Sequence, residues 1–157
     1  MSYLAAHFRE RFPANGYDLV ALFSRFEYAM KKGGFRQNNR AAASWRNFAN
    51  KLPENFFTKM QNTPEAKIFF EAPPDHLEPV GDSVEWSGDP KMPQNVIDLF
   101  DCIRVVRNNL FHGDKRRDNH RDEALISAAI FILQSAYEVA VASKKFQRFV
   151  SEMEYWP

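Results

Sequence analysis

The chain has a single cysteine and almost no net charge, and these two features limit the compartment and the binding partners that can be expected for it. Because Cys102 has no partner for an internal disulfide, the sequence predicts a protein of a reducing compartment. The 21 Lys and Arg residues nearly balance the 20 Asp and Glu residues, which gives a formal charge of +1. Such a protein has no overall attraction to polyanions, so any nucleic-acid binding must come from a local positive patch.

Signatures of several enzyme and membrane classes are also missing. The sequence contains no Gly-rich phosphate loop, no GxSxG nucleophile turn and no zinc-ligand spacing. It has no run of about 20 apolar residues to span a membrane, and its first segment, MSYLAAHFRERF, carries charges where a signal peptide needs an apolar core. We therefore expect a cytoplasmic protein with no membrane partner.

The residues that are present predict one all-α domain over 1–157. Fifteen phenylalanines and an apolar fraction of 45% are typical of a folded core. Apolar residues recur at helical spacing in four main segments, about 18–32, 40–51, 93–111 and 122–150, with shorter helical turns at 53–61 and 63–70. Between the second and third main segments lies a loop, 72–94, with five prolines and two glycines, which excludes a helix there. Only 84–86 in that loop suggests a short extended piece.

The last predicted helix, 122–150, is apolar around most of its circumference. A helix of this kind is buried on more than one side. In a domain of four main helices, this pattern favours a homodimer interface.

The most informative stretch is the end of the third main helix. Its apolar stripe runs from Val96 to Leu110, and polar side chains occupy the last turns, followed by Gly113, which suits the position just past a helix end. If the helix frays there, His112 leaves the apolar stripe and faces the same solvent pocket as Arg107. An arginine binds phosphate oxygens with paired donors, and a histidine exchanges protons near neutral pH. Together they could cleave RNA by attack of its own 2′-hydroxyl.

A second charged pair lies on the first main helix. Glu27 and Lys31 stand four residues apart with the acid first, the favourable order for a surface ion pair. A solvated pair of this kind contributes only about 0.3–0.5 kcal/mol. Lys32 follows directly.

These two segments resemble the motifs of the HEPN superfamily of nucleotide-binding domains. Arg107 and His112 match its R-x4-6-H motif, and the string RNNLFHG looks most like the Apea-like branch. Glu27, Lys31 and Lys32 match E-x3-K-R, with a lysine in place of the family's arginine. The lysine keeps the positive charge but lacks the planar guanidinium of arginine, which can donate two hydrogen bonds to one phosphate.

The resemblance implies a four-helix up-and-down bundle, with a motif-bearing core of about 18–150, that forms a homodimer with its motifs juxtaposed. It implies RNA cleavage without a metal or cofactor, leaving a 2′,3′-cyclic phosphate, in a toxin or a defence effector with a possible antitoxin or other regulatory protein as partner. In that scheme Arg107 binds and polarises the phosphate, His112 acts as acid and base, and Asn108 is an accessory polar group. Glu27 and Lys31 support the site. Asp114 stands where toxins controlled by a nucleotidyltransferase antitoxin often carry a tyrosine, so that mode of control is not supported.

Positive residues surround the predicted site. A basic rim in a nearly neutral protein would attract a phosphodiester, although a charged loop between helices is often simply solvated. The predicted RNA-binding residues are Arg104, Lys115, Arg116, Arg117 and Arg121.

Other interpretations stay open. Arg107 could pair with Glu27, His112 could act only as a helix-end cation, and Cys102 is typical of a packing residue. His76 and its acidic neighbours in the loop suggest a metal, but a solvated loop explains them as well. At the level of function, the alternatives are a non-catalytic RNA- or nucleotide-binding module and a protein adaptor that uses the 72–94 loop, where Trp86 would matter most.

Overall fold

Helices dominate the computed structural model, which describes residues 3–112 and 119–155. Helix accounts for 64% of the protein and the only sheet among these residues has two strands, so the all-α prediction is confirmed at the level of fold class. The helices are α1 (Tyr3–Arg9), α2 (Gly16–Lys32), α3 (Trp45–Lys51), α4 (Phe56–Gln61), α5 (Ile68–Glu71), α6 (Val96–His112), α7 (Asn119–Val141) and α8 (Gln147–Glu154). Short 3-10 turns at Pro64–Ala66 and Lys144–Phe146 precede α5 and α8.

An aromatic cluster forms the part of the core where α2, α3, α6 and α8 meet. Phe48 is fully buried at its centre. Its ring centroid lies 4.9–6.4 Å from those of its neighbours Phe26, Phe35, Trp45, Phe100, Phe146 and Phe149. Many of these pairs are edge-to-face or tilted, arrangements that favour aromatic attraction beyond simple burial.

Helix α7 packs against several parts of its own chain, which accounts for part of its apolar composition. It contacts α2, α5, α6 and α8, and Ile126, Ile132 and Leu133 are fully buried. By length and mean hydropathy, His120–Val141 would also qualify as a membrane span, but a core helix satisfies the same criterion. Less than half of that stretch is buried within the chain, and the predicted homodimer stays a prediction.

The last predicted helix, 122–150, is wrong as a single element because α7 ends at Val141. Ser143 then caps a 3-10 turn by accepting a hydrogen bond from the backbone N–H of Lys145 (3.3 Å). This break redirects the chain, so that Phe146 and Phe149 enter the aromatic cluster. The energy of burying two phenylalanines outweighs the helical periodicity that continues through the break.

All four main helices start at a different residue from the predicted one, including α7, which begins at Asn119 instead of about residue 122. Helix α2 begins at Gly16, two residues early, where any Cβ would lie 2.5 Å from the Phe12 ring. Helix α3 begins at Trp45 instead of about residue 40, because Ser44 caps it by accepting from the Asn47 N–H (3.3 Å). Helix α6 begins at Val96 and continues through His112, so its backbone does not fray before that residue.

The proline-rich segment contains a β-hairpin. Strands β1 (Leu77–Val80) and β2 (Ser83–Trp86) pair antiparallel, with Leu77 opposite Trp86, and Gly81 supplies the positive φ of the turn (+59°). The extended piece predicted at 84–86 is confirmed. The partner strand, Leu77–Val80, was not predicted, and its proline is tolerated because each strand of a two-stranded sheet is an edge strand.

We expect Phe48→Ala to lower the free energy of unfolding by about 3–5 kcal/mol, because it removes the ring that every other member of the cluster contacts. Urea denaturation followed by circular dichroism measures this change. Phe8→Ala is the matched control, since Phe8 is 62% exposed and its loss should cost under about 0.5 kcal/mol. Equal effects of the two substitutions would contradict the assigned core.

Candidate functional site

Arg107 lies half-buried on the last turns of α6. Its guanidinium carbon is 4.4 Å from the ring centroid of Phe111 and 5.5 Å from that of Phe23 on α2. Nη1 donates a hydrogen bond to Oδ1 of Asn108 (3.1 Å). Within residues 3–112 and 119–155, no carboxylate oxygen comes within 4.0 Å of Arg107. Aromatic faces and one amide orient the guanidinium, and its remaining donors are available to an anion.

Glu27, on α2, is connected to the surroundings of Arg107 by two aromatic side chains, those of Trp45 and Phe23. Trp45 stacks on Phe23 with a centroid distance of 4.7 Å, and its Nε1 donates to Oε1 of Glu27 (3.0 Å). Phe23 and Glu27 lie one turn apart on α2, so Arg107 and Glu27 belong to one aromatic-lined region. The predicted pairing of Glu27 with Lys31 is absent from the described residues, as is the alternative pairing of Glu27 with Arg107. Lys31 is exposed.

The structure gives only the backbone position of His112. It occupies the last position of α6, five residues after Arg107, which corresponds to about 7.5 Å along the helix axis. Its side chain lies outside the described residues, so its predicted departure from the apolar stripe stays a prediction. Three predicted RNA-binding residues also lie outside them, together with Gly113: Lys115, Arg116 and Arg117.

The other two predicted RNA-binding arginines have partners. Arg104 forms an exposed ion pair with Asp101 (3.1 Å), and such a pair is weak enough for a phosphate to displace the carboxylate. Arg121 donates to the backbone oxygen of Pro73 (2.9 Å), which fixes the chain just before the hairpin. Arg121 therefore has a structural contact that the sequence did not predict.

Asn109 holds the hairpin against α6, and sequence reasoning missed this role. Its Nδ2 donates to the backbone oxygen of Asp75 (2.9 Å). Two asparagines follow Arg107, and nothing in their order says which one faces the site. Positions 107 and 109 are about 200° apart around an α-helix, which places Asn109 on the side opposite Arg107.

The Asp75 carboxylate closes the base of the hairpin. It accepts from the N–H groups of His76 and Gly88 (2.8 Å each) and from the Ser87 hydroxyl. Burial alone would raise the pKa of Asp75, but these hydrogen bonds outweigh it and lower the pKa below its usual 3.8. The hairpin is therefore fixed at its base rather than free.

The suggested metal ligands near the hairpin contact each other. His76 Nε2 lies 3.0 Å from Glu78 Oε1, and His76 Nδ1 lies 3.8 Å from Asp75 Oδ1. In the part of the chain that the structure describes, no three His, Cys, Asp or Glu side chains are placed to hold a metal ion.

Cys102 is a packing residue. It is buried on α6, and burial, followed by the charges of Asp101 and Asp98, raises its pKa to about 12. At neutral pH it is a protonated thiol, which is a poor nucleophile and a poor metal ligand.

Comparisons with protein-family models, with curated proteins and with solved structures found no match to this chain. The HEPN resemblance therefore rests on the two sequence motifs alone.

We expect the stabilising contribution of Asp75 to disappear in acid. Because its folded-state pKa is lowered, the contribution is complete above about pH 4 and is lost as the pH falls through the folded-state pKa. Urea unfolding of the wild type and Asp75→Asn should differ at pH 5 and converge as the pH falls towards about 2. Glu85→Gln, at an exposed hairpin position, is the control and should have only a small effect on stability. A constant difference for Asp75→Asn would contradict the assignment.

Proposed function

We propose that the protein is a metal-independent endoribonuclease of the HEPN type that acts at Arg107, Asn108 and His112. The observation that carries this proposal is Arg107: a half-buried guanidinium held on two aromatic rings and one amide, with no carboxylate partner among the described residues. Glu27 of the second motif accepts a hydrogen bond from Trp45 and does not form an ion pair with Arg107.

The proposed reaction uses these side chains, a second His112 from a facing copy of the chain, and the RNA. His112 accepts the 2′-hydroxyl proton while the 2′-oxygen attacks the adjacent phosphorus. Arg107 donates to the non-bridging oxygens and stabilises the added negative charge, and Asn108 keeps its guanidinium oriented. The bond to the 5′-oxygen breaks, and that oxygen takes up a proton from the protonated His112 of the facing copy. The products are a 2′,3′-cyclic phosphate and a 5′-hydroxyl.

A homodimer would complete this chemistry. One histidine per site cannot both remove the 2′ proton and protonate the 5′-oxygen at the same moment, but a second copy facing it across a two-fold axis would supply a second His112. Phe111, which contacts Arg107 and is 58% exposed, offers apolar surface for that contact. The finer fold assignment, a four-helix up-and-down bundle, and a role as a toxin or defence effector belong to the same proposal.

An adaptor function is the second candidate, and one observation favours it. The hairpin exposes about half of the side chains of Val80 and Val84, while contacts from α6 and α7 hold its base. A fixed element with exposed apolar residues is suited to protein contact. In that case substitution of Trp86 would abolish partner binding, and substitution of His112 would not.

The nuclease proposal predicts RNA cleavage in excess EDTA. Wild type should produce 2′,3′-cyclic ends, and Arg107→Ala and His112→Ala should each lower the rate by at least about 100-fold, the usual contribution of a positioned acid–base or electrostatic group. Gel analysis of an end-labelled RNA, with end-group identification, measures both properties.

Arg9→Ala is the control, because it removes an exposed arginine on α1, outside both motifs and the predicted RNA-binding residues, and should leave cleavage unchanged. Circular dichroism should show equal helix content in all variants. Undiminished cleavage by an Arg107→Ala, His112→Ala double mutant would refute the site. RNA binding without any cleavage by the wild type would favour the non-catalytic module instead.

A further inference from the structure

Positive charge is concentrated in two segments of the sequence that lie outside the predicted basic rim. Residues 31–53 and 143–148 contain no Asp or Glu, and together they carry nine positive residues: Lys31, Lys32, Arg36, Arg40, Arg46, Lys51, Lys144, Lys145 and Arg148. Because the whole chain has a formal charge of +1, all other residues together carry −8. The near neutrality of the protein therefore conceals a strong segregation of charge.

The fold joins the two segments into one surface, which we call the basic surface. Arg148 donates to the backbone oxygen of Lys32 (3.1 Å), and Phe35 stacks on Phe146 with a centroid distance of 5.5 Å. The backbones also come close together: a Cβ added at Gly33 would lie 2.6 Å from the Cα of Phe149. The aromatic cluster beneath thus holds the backbones of the two segments side by side.

The basic surface includes a groove and an ordered loop. The groove has a volume of about 680 Å³, and its polar lining includes Asn47, Asn50, Lys51, Glu54, Ser143 and Lys145. The loop between α2 and α3 is closed by a backbone hydrogen bond from Gln37 to Ala42 (2.8 Å) and a bridge between Arg36 and Ala43. Amide side chains alternate with the cations in both places, which provides donors and acceptors for sugars and base edges.

The nine cations are not used for stability through ion pairs. In the described ranges 3–112 and 119–155, none of them lies within 4.0 Å of a carboxylate oxygen. Nor does any large apolar side chain of the basic surface stand exposed within those ranges. A surface that inserts into lipid would need such residues, so the composition favours a hydrophilic polyanion over a membrane.

We propose that the basic surface binds the phosphates of single-stranded RNA, in addition to the candidate site at Arg107. Lys32 follows Phe23 by nine residues on α2, about 13 Å along its axis, and Arg46 directly follows Trp45. An RNA strand held at Arg107 therefore reaches the basic surface by running along α2. This inference extends the proposed function, but its observations, charge segregation and the groove, do not depend on catalysis.

The test is salt-dependent binding of a fluorescent 2′-O-methyl RNA of about 20 nucleotides, long enough for more than one contact region. This probe cannot be cleaved by 2′-hydroxyl attack, so binding is measured separately from catalysis. The test variant is Lys51→Gln, Lys145→Gln, which removes both groove lysines. The control variant, Lys67→Gln, Lys91→Gln, removes two exposed lysines elsewhere.

Each phosphate contact with a single strand contributes about −0.7 to the slope of log K against log salt. We therefore expect the groove variant to make the slope less negative by about 1.4 and to weaken binding by about 10- to 30-fold at 0.1 M salt. The control should retain the wild-type slope. Equal losses in both variants, or no loss in either, would overturn the proposal.

A binding test with anionic vesicles distinguishes RNA phosphates from lipid headgroups, which also carry negative charge. If anionic vesicles bind the wild type in a manner that depends on Lys51 and Lys145 while the RNA probe does not bind, the surface recognises lipid headgroups and the RNA assignment is wrong. Failure of the proposed nuclease would appear only in the cleavage assay, where Arg107→Ala would have no effect.

Discussion

The aromatic cluster around Phe48 is the constraint on which the rest of the molecule depends. Its rings come from segments that are up to about 120 residues apart in the chain, and their burial fixes α2, α3, α6 and α8 relative to one another. Phe23 and Trp45 extend the cluster to the surface beneath Arg107, whereas Phe35 and Phe146 extend it beneath the basic surface. Both proposed RNA contacts therefore rest on one rigid support.

The two arginines of α6 show how the fold separates a binding group from a surface charge. Arg104 is paired with Asp101, an arrangement that contributes at most about 1 kcal/mol and satisfies the cation. Arg107, one turn later, contacts two aromatic rings, which attract a cation by about 0.5–2 kcal/mol without cancelling its charge. In the proposed function, an incoming phosphate would meet an oriented guanidinium whose positive charge is not cancelled by a carboxylate among the described residues.

Helical periodicity predicted α2 and α6 well because each has a single apolar stripe facing one core. It failed at the junction of α7 and α8, where apolar spacing continues but Ser143 and the burial of Phe146 end the helix. The site was predicted only in part: Arg107 and Glu27 share a region, but the pairing of Glu27 with Trp45 and of Asn109 with Asp75 depends on tertiary geometry. The basic surface was missed because its two segments are about 90 residues apart in the chain.

NMR of arginine side chains can show whether Arg107 binds an RNA phosphate. The Nε–Hε resonance of Arg107, assigned by comparison with Arg107→Lys, would be followed during titration with 2′-O-methyl RNA. We expect this resonance to shift and to saturate in parallel with overall binding, with a smaller shift for Arg104. An unchanged Arg107 resonance in protein saturated with RNA would mean that Arg107 does not bind the phosphate.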